Sequence, residues 1–215
     1  MMGFMTKSNQ VMEAPPLDEA FAVPAAEDQL ERAAKGLRER GYAVHIVDGP
    51  EDARALVSAL VPVDKEVFTA SSETLRTAGI AADLDESGRF RSVRAQLAEL
   101  DIAAQIRMGA TPDVVVGSVH AVTEDGIMVA ASASGSQLAS YAAGARQAIW
   151  VVGAQKVVAD LDTALRRIRT YSLPREWVRL QEVYGQPSFV GKILILEREM
   201  PDRGTVILIR SEIGF

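Results

Sequence analysis

The sequence predicts an α/β fold, with an open, largely parallel central sheet, flanking helices and antiparallel hairpins at one side. Three observations predict it. Amphipathic helical segments alternate with short apolar runs through most of the chain, and parallel strands need such a crossover between them. The run AIWVV from Ala148 is apolar without interruption, as in a strand covered on both faces. Asp125-Gly126 lies between two apolar runs, a strong short-range signal for a hairpin turn.

The elements follow in order. Residues 1–26 carry Pro15, Pro16 and Pro24 and read as a mobile leader, without which the fold is expected to survive. EDQLERAAKGLRERG from Glu27 is the first helix: Leu30, Ala33, Ala34 and Leu37 share one face, acids open it, bases close it and Gly41 suits the left-handed cap. YAVHIV is a strand and EDARALVSALV a second amphipathic helix. KEVFTA is a short strand, and SSETLRTAGI a helix with a serine cap and Gly79 at its end. Residues 85–101 are helix-rich and weakly signalled, and Pro112 closes that region. PDVVVGSVHAVTEDGIMVAA reads as two strands around the acidic turn, QLASYAAGA as a short helix, AIWVVGAQ as a buried strand with its loop, and KVVADLDTALRRIRTY as a long helix. KILILEREMPDRGTVILIR reads as a second hairpin turning at Pro201, Asp202 and Gly204. No internal repeat or low-complexity linker divides the chain, so residues 27–215 are read as one domain.

Composition narrows the function. Of 215 residues 48% are hydrophobic and 24% charged, as in an ordinary globular core. A net charge of −6 argues against nucleic acid as a partner, which needs basic surface. No run reaches the ~20 apolar residues of a membrane span, and the first residues lack a secretory signal's apolar core and cleavage site. Cysteine is absent, so the chain holds no disulfide, thiolate nucleophile or Cys-ligated cluster, which fits a cytoplasmic protein. With His45 and His120 as the two histidines, a His-rich metal site is excluded. A carboxylate-held Mg²⁺ stays open, but no metal site is assigned. No Gly-x-Gly-x-x-Gly follows a strand, so no nicotinamide or flavin site is read and no cofactor is expected.

Several blocks in order, SETLRTAGI, HAVTEDGIMV, SGSQLASYAAGARQAIWVVGAQKVVADLDTALRRI and SEIGF, resemble the LUD family, named for lactate utilisation, and its YkgG-like members in particular. The resemblance covers the chain from about Ala70 onward. It implies a fold similar to that of ribose-phosphate isomerases and CoA transferases, with ligand sites at strand ends. Two departures stand out. His120 replaces an amide common in relatives, and Ser136-Gln137 replaces Asn-Arg.

The candidate site is the small-residue stretch Ser132, Ser134, Gly135 and Ser136. It lies between a strand and a helix, where unpaired backbone N–H groups receive phosphates and carboxylates. A plain turn with a serine cap is the simpler alternative. Thr123 and Glu124 form the facing wall, with Glu124 the candidate base or nucleophile, while Asp125 suits the turn itself. Lys156 either faces the anion or is solvated. His120 reads as a hydrogen-bonded strand residue, and Glu212 either reaches the site or caps the last strand.

The resemblance implies L-lactate oxidation to pyruvate by an assembly whose other chains carry iron–sulfur clusters. This chain would be its non-redox component, binding a small anionic metabolite or docking onto the iron–sulfur lactate oxidase subunits. The alternatives are a stand-alone enzyme acting on a small anionic metabolite or CoA ester, and a non-catalytic sensor or scaffold. A homo-oligomer stays open.

Overall fold

The computed structural model describes residues 13–97 and 100–215. The strands are β1 (Ala43–Val47), β2 (Glu66–Thr69), β3 (Arg91–Ser92), β4 (Val114–Gly117), β5 (Ala121–Thr123), β6 (Met128–Ser132), β7 (Gln147–Gly153), β8 (Val157–Val158), β9 (Lys192–Leu196) and β10 (Gly204–Ile209). The helices are α1 (Glu27–Glu39), α2 (Pro50–Leu60), α3 (Glu73–Thr77), α4 (Ile80–Glu86), α5 (Arg94–Leu97), α6 (Ile102–Ala110), α7 (Leu161–Arg167) and α8 (Leu173–Tyr184).

One sheet has the order β1-β10-β7-β4-β2-β3, and every pairing in it is parallel. The second has the order β8-β5-β6-β9, with β5–β8 parallel and β5–β6 and β6–β9 antiparallel. This is the α/β class expected from the sequence.

Alternation along the strands separates the cores. Val114, Val116, Ile149, Val151, Ile207 and Ile209 face α2, α3 and α4, where Ala53, Val57, Leu75, Ile80 and Leu84 meet them. Val115, Trp150, Val152, Val206 and Leu208 face the other way, onto α1 and onto Val122, Met128 and Ala130 of the small sheet. The far side of the small sheet, through Ala121, Val129 and Val158, packs on Ala164, Ile168 and Tyr171. Trp150, fully buried, meets the edges of Tyr42 and Tyr141 with ring centroids 5.9 and 5.7 Å away, a favoured aromatic arrangement.

Four expectations change. The expected hairpin near the end of the chain does not form: β9 joins the small sheet and β10 the large one. The turn residue Asp202, at φ 66°, redirects the chain between sheets, and TVILI is apolar on both faces because β10 lies between β1 and β7. The expected long helix from Lys156 is broken. Val157–Val158 pair with β5, and the Asp160 carboxylate accepts from Thr163 N–H at 2.7 Å, so that helix begins at Leu161. The expected short helix 137–145 forms over residues 138–144, but it is wound as a π-helix from Ser140 to Gly144.

The fourth concerns the leader. Residues 1–12 of it lie outside the described residues, but Asp18–Ala25 is tied to the domain. Asp18 N–H donates to Thr170 C=O, Ala25 N–H donates to Ala154 C=O, and Phe21 packs in the Tyr171 cluster. An aromatic ring with an apolar seat outweighs the extended, proline-rich composition around it.

Candidate functional site

A cavity of about 470 Å³ opens where β2, β4 and β7 end, the edge at which open α/β sheets receive ligands. The loop after β2 brings Ser71 and Ser72, the loop after β4 brings Ser118 and His120, and the turn after β7 brings Lys156. Ser132, Ser134 and Ser136 form a hydroxyl-rich rim. Leu180, Tyr184, Phe189 and Phe215 add an apolar wall.

Lys156 is the central group. It is 2% exposed and sits in a short 3-10 turn, Ala154–Lys156, rather than at a helix start. Its Nζ donates to Thr74 Oγ1 at 2.9 Å and to Ser118 Oγ at 3.1 Å. Burial, and then the charge of Arg167, push its pKa well below the ordinary 10.5.

Arg167 is fully buried as well. It donates through Nε to Gln155 C=O and through Nη1 to His120 C=O and Ser172 Oγ, while its Nη2 has no partner among the described residues. Burial pushes its pKa down to about 10, against the favourable fields of Tyr171 and Glu212. The hydrogen-bond partners of Lys156 and Arg167 are hydroxyls and carbonyls, with no carboxylate paired to either among the described residues.

His120 accepts from Ala131 N–H through Nδ1 at 3.0 Å, which places its hydrogen on Nε2. Burial first, then Lys156 and Arg167, push its pKa down to about 3. It is therefore a neutral donor at the cavity wall, and its Nε2–H finds no protein acceptor among the described residues. Ser118 is fixed from behind. Tyr141 Oη accepts from Ser118 N–H and donates to Ser118 C=O, both at 3.0 Å. Gly117 makes room for this ring, since a Cβ there would lie 2.6 Å from Tyr141 Cζ.

Of the residues expected from sequence, the cavity brings together Ser132, Ser134, Ser136 and Lys156. Gly135 shapes the turn at φ 87° without lining the cavity. Two backbone N–H groups of the expected anion cradle are already engaged. Gly135 N–H donates to Ser132 Oγ, Ser136 N–H donates to Ser134 Oγ, and a short helical stretch over residues 138–144 follows. The stretch offers side-chain hydroxyls instead.

Thr123 and Glu124 lie elsewhere. Thr123 is fully buried, and its hydroxyl holds the hairpin turn through Asp125 and Ile127. Glu124 accepts from Gln29 Nε2 at 3.0 Å and Arg32 Nε at 2.6 Å, in a surface depression separate from the cavity. These bonds hold its pKa below the ordinary carboxylate value, opposite to the direction a general base at neutral pH needs. Asp125 pairs with Arg40 at 2.7 Å. Gly36 of α1 and Gly126 meet so closely that a Cβ on Gly36 would lie 2.7 Å from Gly126 N. The acidic hairpin is thus a clamp onto α1. Glu212 is exposed and accepts from Tyr171 Oη at 3.4 Å.

Sequence reasoning missed Thr74, Ser118 and Arg167. The available signal was a lone lysine between VVGAQ and VVA, a charge within an otherwise apolar stretch.

The LUD domain model matches residues 30–209. The chain belongs to the LUD domain family. The structure of a DUF162 family protein from Deinococcus radiodurans is similar to this LUD-domain protein, with a TM-score of 0.53 and 15% identity over 90% of this chain and 99% of that one, a likeness of fold. No curated relative matches the chain. Among the described residues of the LUD-domain protein, no group of three or more His, Cys, Asp or Glu could hold a metal ion, and no helix is long and apolar enough to cross a membrane.

Proposed function

We propose that this LUD-domain protein binds a small organic anion at Lys156, as the non-redox component of an L-lactate utilisation system. One observation carries the reading: Lys156 and Arg167 are both buried, and among the described residues no carboxylate is hydrogen-bonded to either. Burying a basic group with no hydrogen-bonded carboxylate is costly, and an anion entering the cavity that Lys156 lines supplies the missing negative charge. The serine hydroxyls and the His120 Nε2–H add neutral donors. The family's association with lactate utilisation supports lactate or pyruvate as the anion. A chain with no cysteine leaves electron transfer to iron–sulfur partner subunits.

The size of the cavity favours a second reading. About 470 Å³ with an apolar wall at Tyr184 and Phe189 is in the range of sites for larger ligands. That suits a stand-alone enzyme acting on an acid with an apolar tail or on a CoA ester.

Thermal denaturation with L-lactate, pyruvate, acetyl-CoA and uncharged glycerol tests both readings. A ligand at about a hundred times its Kd stabilises by about 2.7 kcal/mol, a rise of several degrees. The expected result is stabilisation by at least one anion, not by glycerol, and its loss in Lys156→Met. An equal rise in Lys156→Met refutes the site, and stabilisation by acetyl-CoA alone favours the second reading.

A further inference from the structure

We infer that Lys156 is a nucleophilic amine that captures the carbonyl carbon of a 2-oxo acid as an imine. The inference rests on the anion-binding reading of the same cavity and names the substrate class.

The hydrogen bonds around Nζ carry it. Thr74 Oγ1 donates its own hydrogen to Ile213 C=O at 3.3 Å, and Ser118 Oγ donates to Val119 C=O at 3.3 Å. Both hydroxyl oxygens therefore accept from Lys156 Nζ, at 2.9 and 3.1 Å. Two acceptors match the two N–H bonds of a neutral amine and leave its lone pair unengaged. An ammonium would carry a third N–H, for which no protein acceptor stands among the described residues. A buried structural lysine is ordinarily paired with a carboxylate, and this one is not. Burial and Arg167 push its pKa in the same direction, the usual way a lysine is activated toward carbonyls.

The cavity also holds what the rest of a 2-oxo acid needs. Arg94 lines it, with its Nε on Thr69 C=O at 2.8 Å and no carboxylate partner among the described residues. With the serine rim it offers donors to a carboxylate. The His120 Nε2–H offers a donor to the carbonyl oxygen.

The step balances without an oxidant or reductant. The Nζ lone pair attacks the carbonyl carbon and a C–N bond forms. The C=O π pair moves to oxygen, which takes a proton as nitrogen gives one up. The nitrogen lone pair then forms C=N as the C–O bond breaks, and the hydroxyl takes up the second amine proton and leaves as water. One amine and one carbonyl give one imine and one water. L-Lactate, which has no carbonyl, binds without this step.

Reductive trapping tests the inference. The full chain is incubated with cyanoborohydride and either pyruvate, 4-methyl-2-oxopentanoate or L-lactate, then read by intact mass and peptide mapping. Each 2-oxo acid should add its own mass, less one water and plus two hydrogens, on the Lys156 peptide. L-Lactate should add nothing, and Lys156→Met should lose the adduct. Mapping on the unaltered protein locates the adduct independently of how well the variant folds. If an anion raises the melting temperature while the Lys156 peptide stays unmodified with both 2-oxo acids, capture is overturned and anion binding stands. Adducts spread over other lysines and unchanged in Lys156→Met also overturn it. If no anion stabilises the protein and no adduct forms, the anion-binding reading fails and capture falls with it.

Discussion

Replacing Tyr141 with Phe removes one oxygen and tests how the fold holds Ser118, and through it Lys156. Tyr141 is 1% exposed, and its Oη makes two hydrogen bonds, both to the backbone of Ser118 and both 3.0 Å long. The variant leaves a backbone N–H and a C=O without their partner, and each such group costs about 1–3 kcal/mol when buried. Ser118 is half-buried and borders the cavity, so water recovers part of that loss. The total expected is about 2 kcal/mol. For a domain of this size each kcal/mol moves the midpoint by about 2–4 °C, so Tm should fall by about 4–8 °C. Calorimetry reads the shift, and the same samples with the stabilising anion read the site. Stabilisation by the anion should shrink as Ser118 loosens its hold on Lys156. An unchanged Tm with undiminished ligand response would show that Tyr141 Oη supports neither the fold nor the site.

Three further outcomes follow from the geometry. His120 has its folded pKa pushed from 6.5 down to about 3, so between those values the unfolded chain binds more protons; the stability it contributes is complete above pH 6.5 and lost as pH falls toward 3, with a slope of at most about 1.4 kcal/mol per pH unit. His120→Asn should flatten the Tm profile between pH 6.5 and 5, and an identical profile would contradict the assigned protonation. Gly36→Ala should gain about 1 kcal/mol from helix propensity, yet its Cβ would meet the Asp125–Gly126 backbone, so urea unfolding should show a net loss of about 1–3 kcal/mol; a net gain would mean that the hairpin is not clamped to α1. Phe21→Ala should cost about 3 kcal/mol by the same measurement, because the ring packs against Tyr171 and Arg166; no loss would return residues 18–25 to the status of a free leader.

Local pattern carried the sequence reading wherever the determinant was local. The apolar face of α1, the Ser72 cap that accepts from Leu75 N–H, and the β5–β6 hairpin are each set by a few neighbouring residues. The reading failed where partners are remote. KILIL and TVILI look alike as apolar runs, and only the pairing of the second with β1 and β7 distinguishes them. The site shows the same limit. Serines near a predicted turn are visible in sequence, but Lys156 meets Thr74 at the start of α3 and Ser118 in the loop after β4, so its burial is a property of the sheet order. Glu124 drew attention as an acid beside a glycine turn, and the residues that occupy it, Gln29 and Arg32, come from a helix far back in the chain.

The position of β10 has a kinetic consequence. It joins β1 to the rest of the large sheet, pairing Ala43 with Thr205 on one side and Ala148 with Gly204 on the other. Closing so long a loop delays that contact more than any between nearer segments. The β2–β4–β7 portion can therefore assemble early, while β1 waits for a strand more than a hundred and fifty residues away along the register. In the interval β7 presents an unpaired apolar edge, the kind that templates association between chains. The insertion of residues 204–209 is thus the step at which refolding and aggregation compete, and dilution should favour the native outcome most strongly before it occurs.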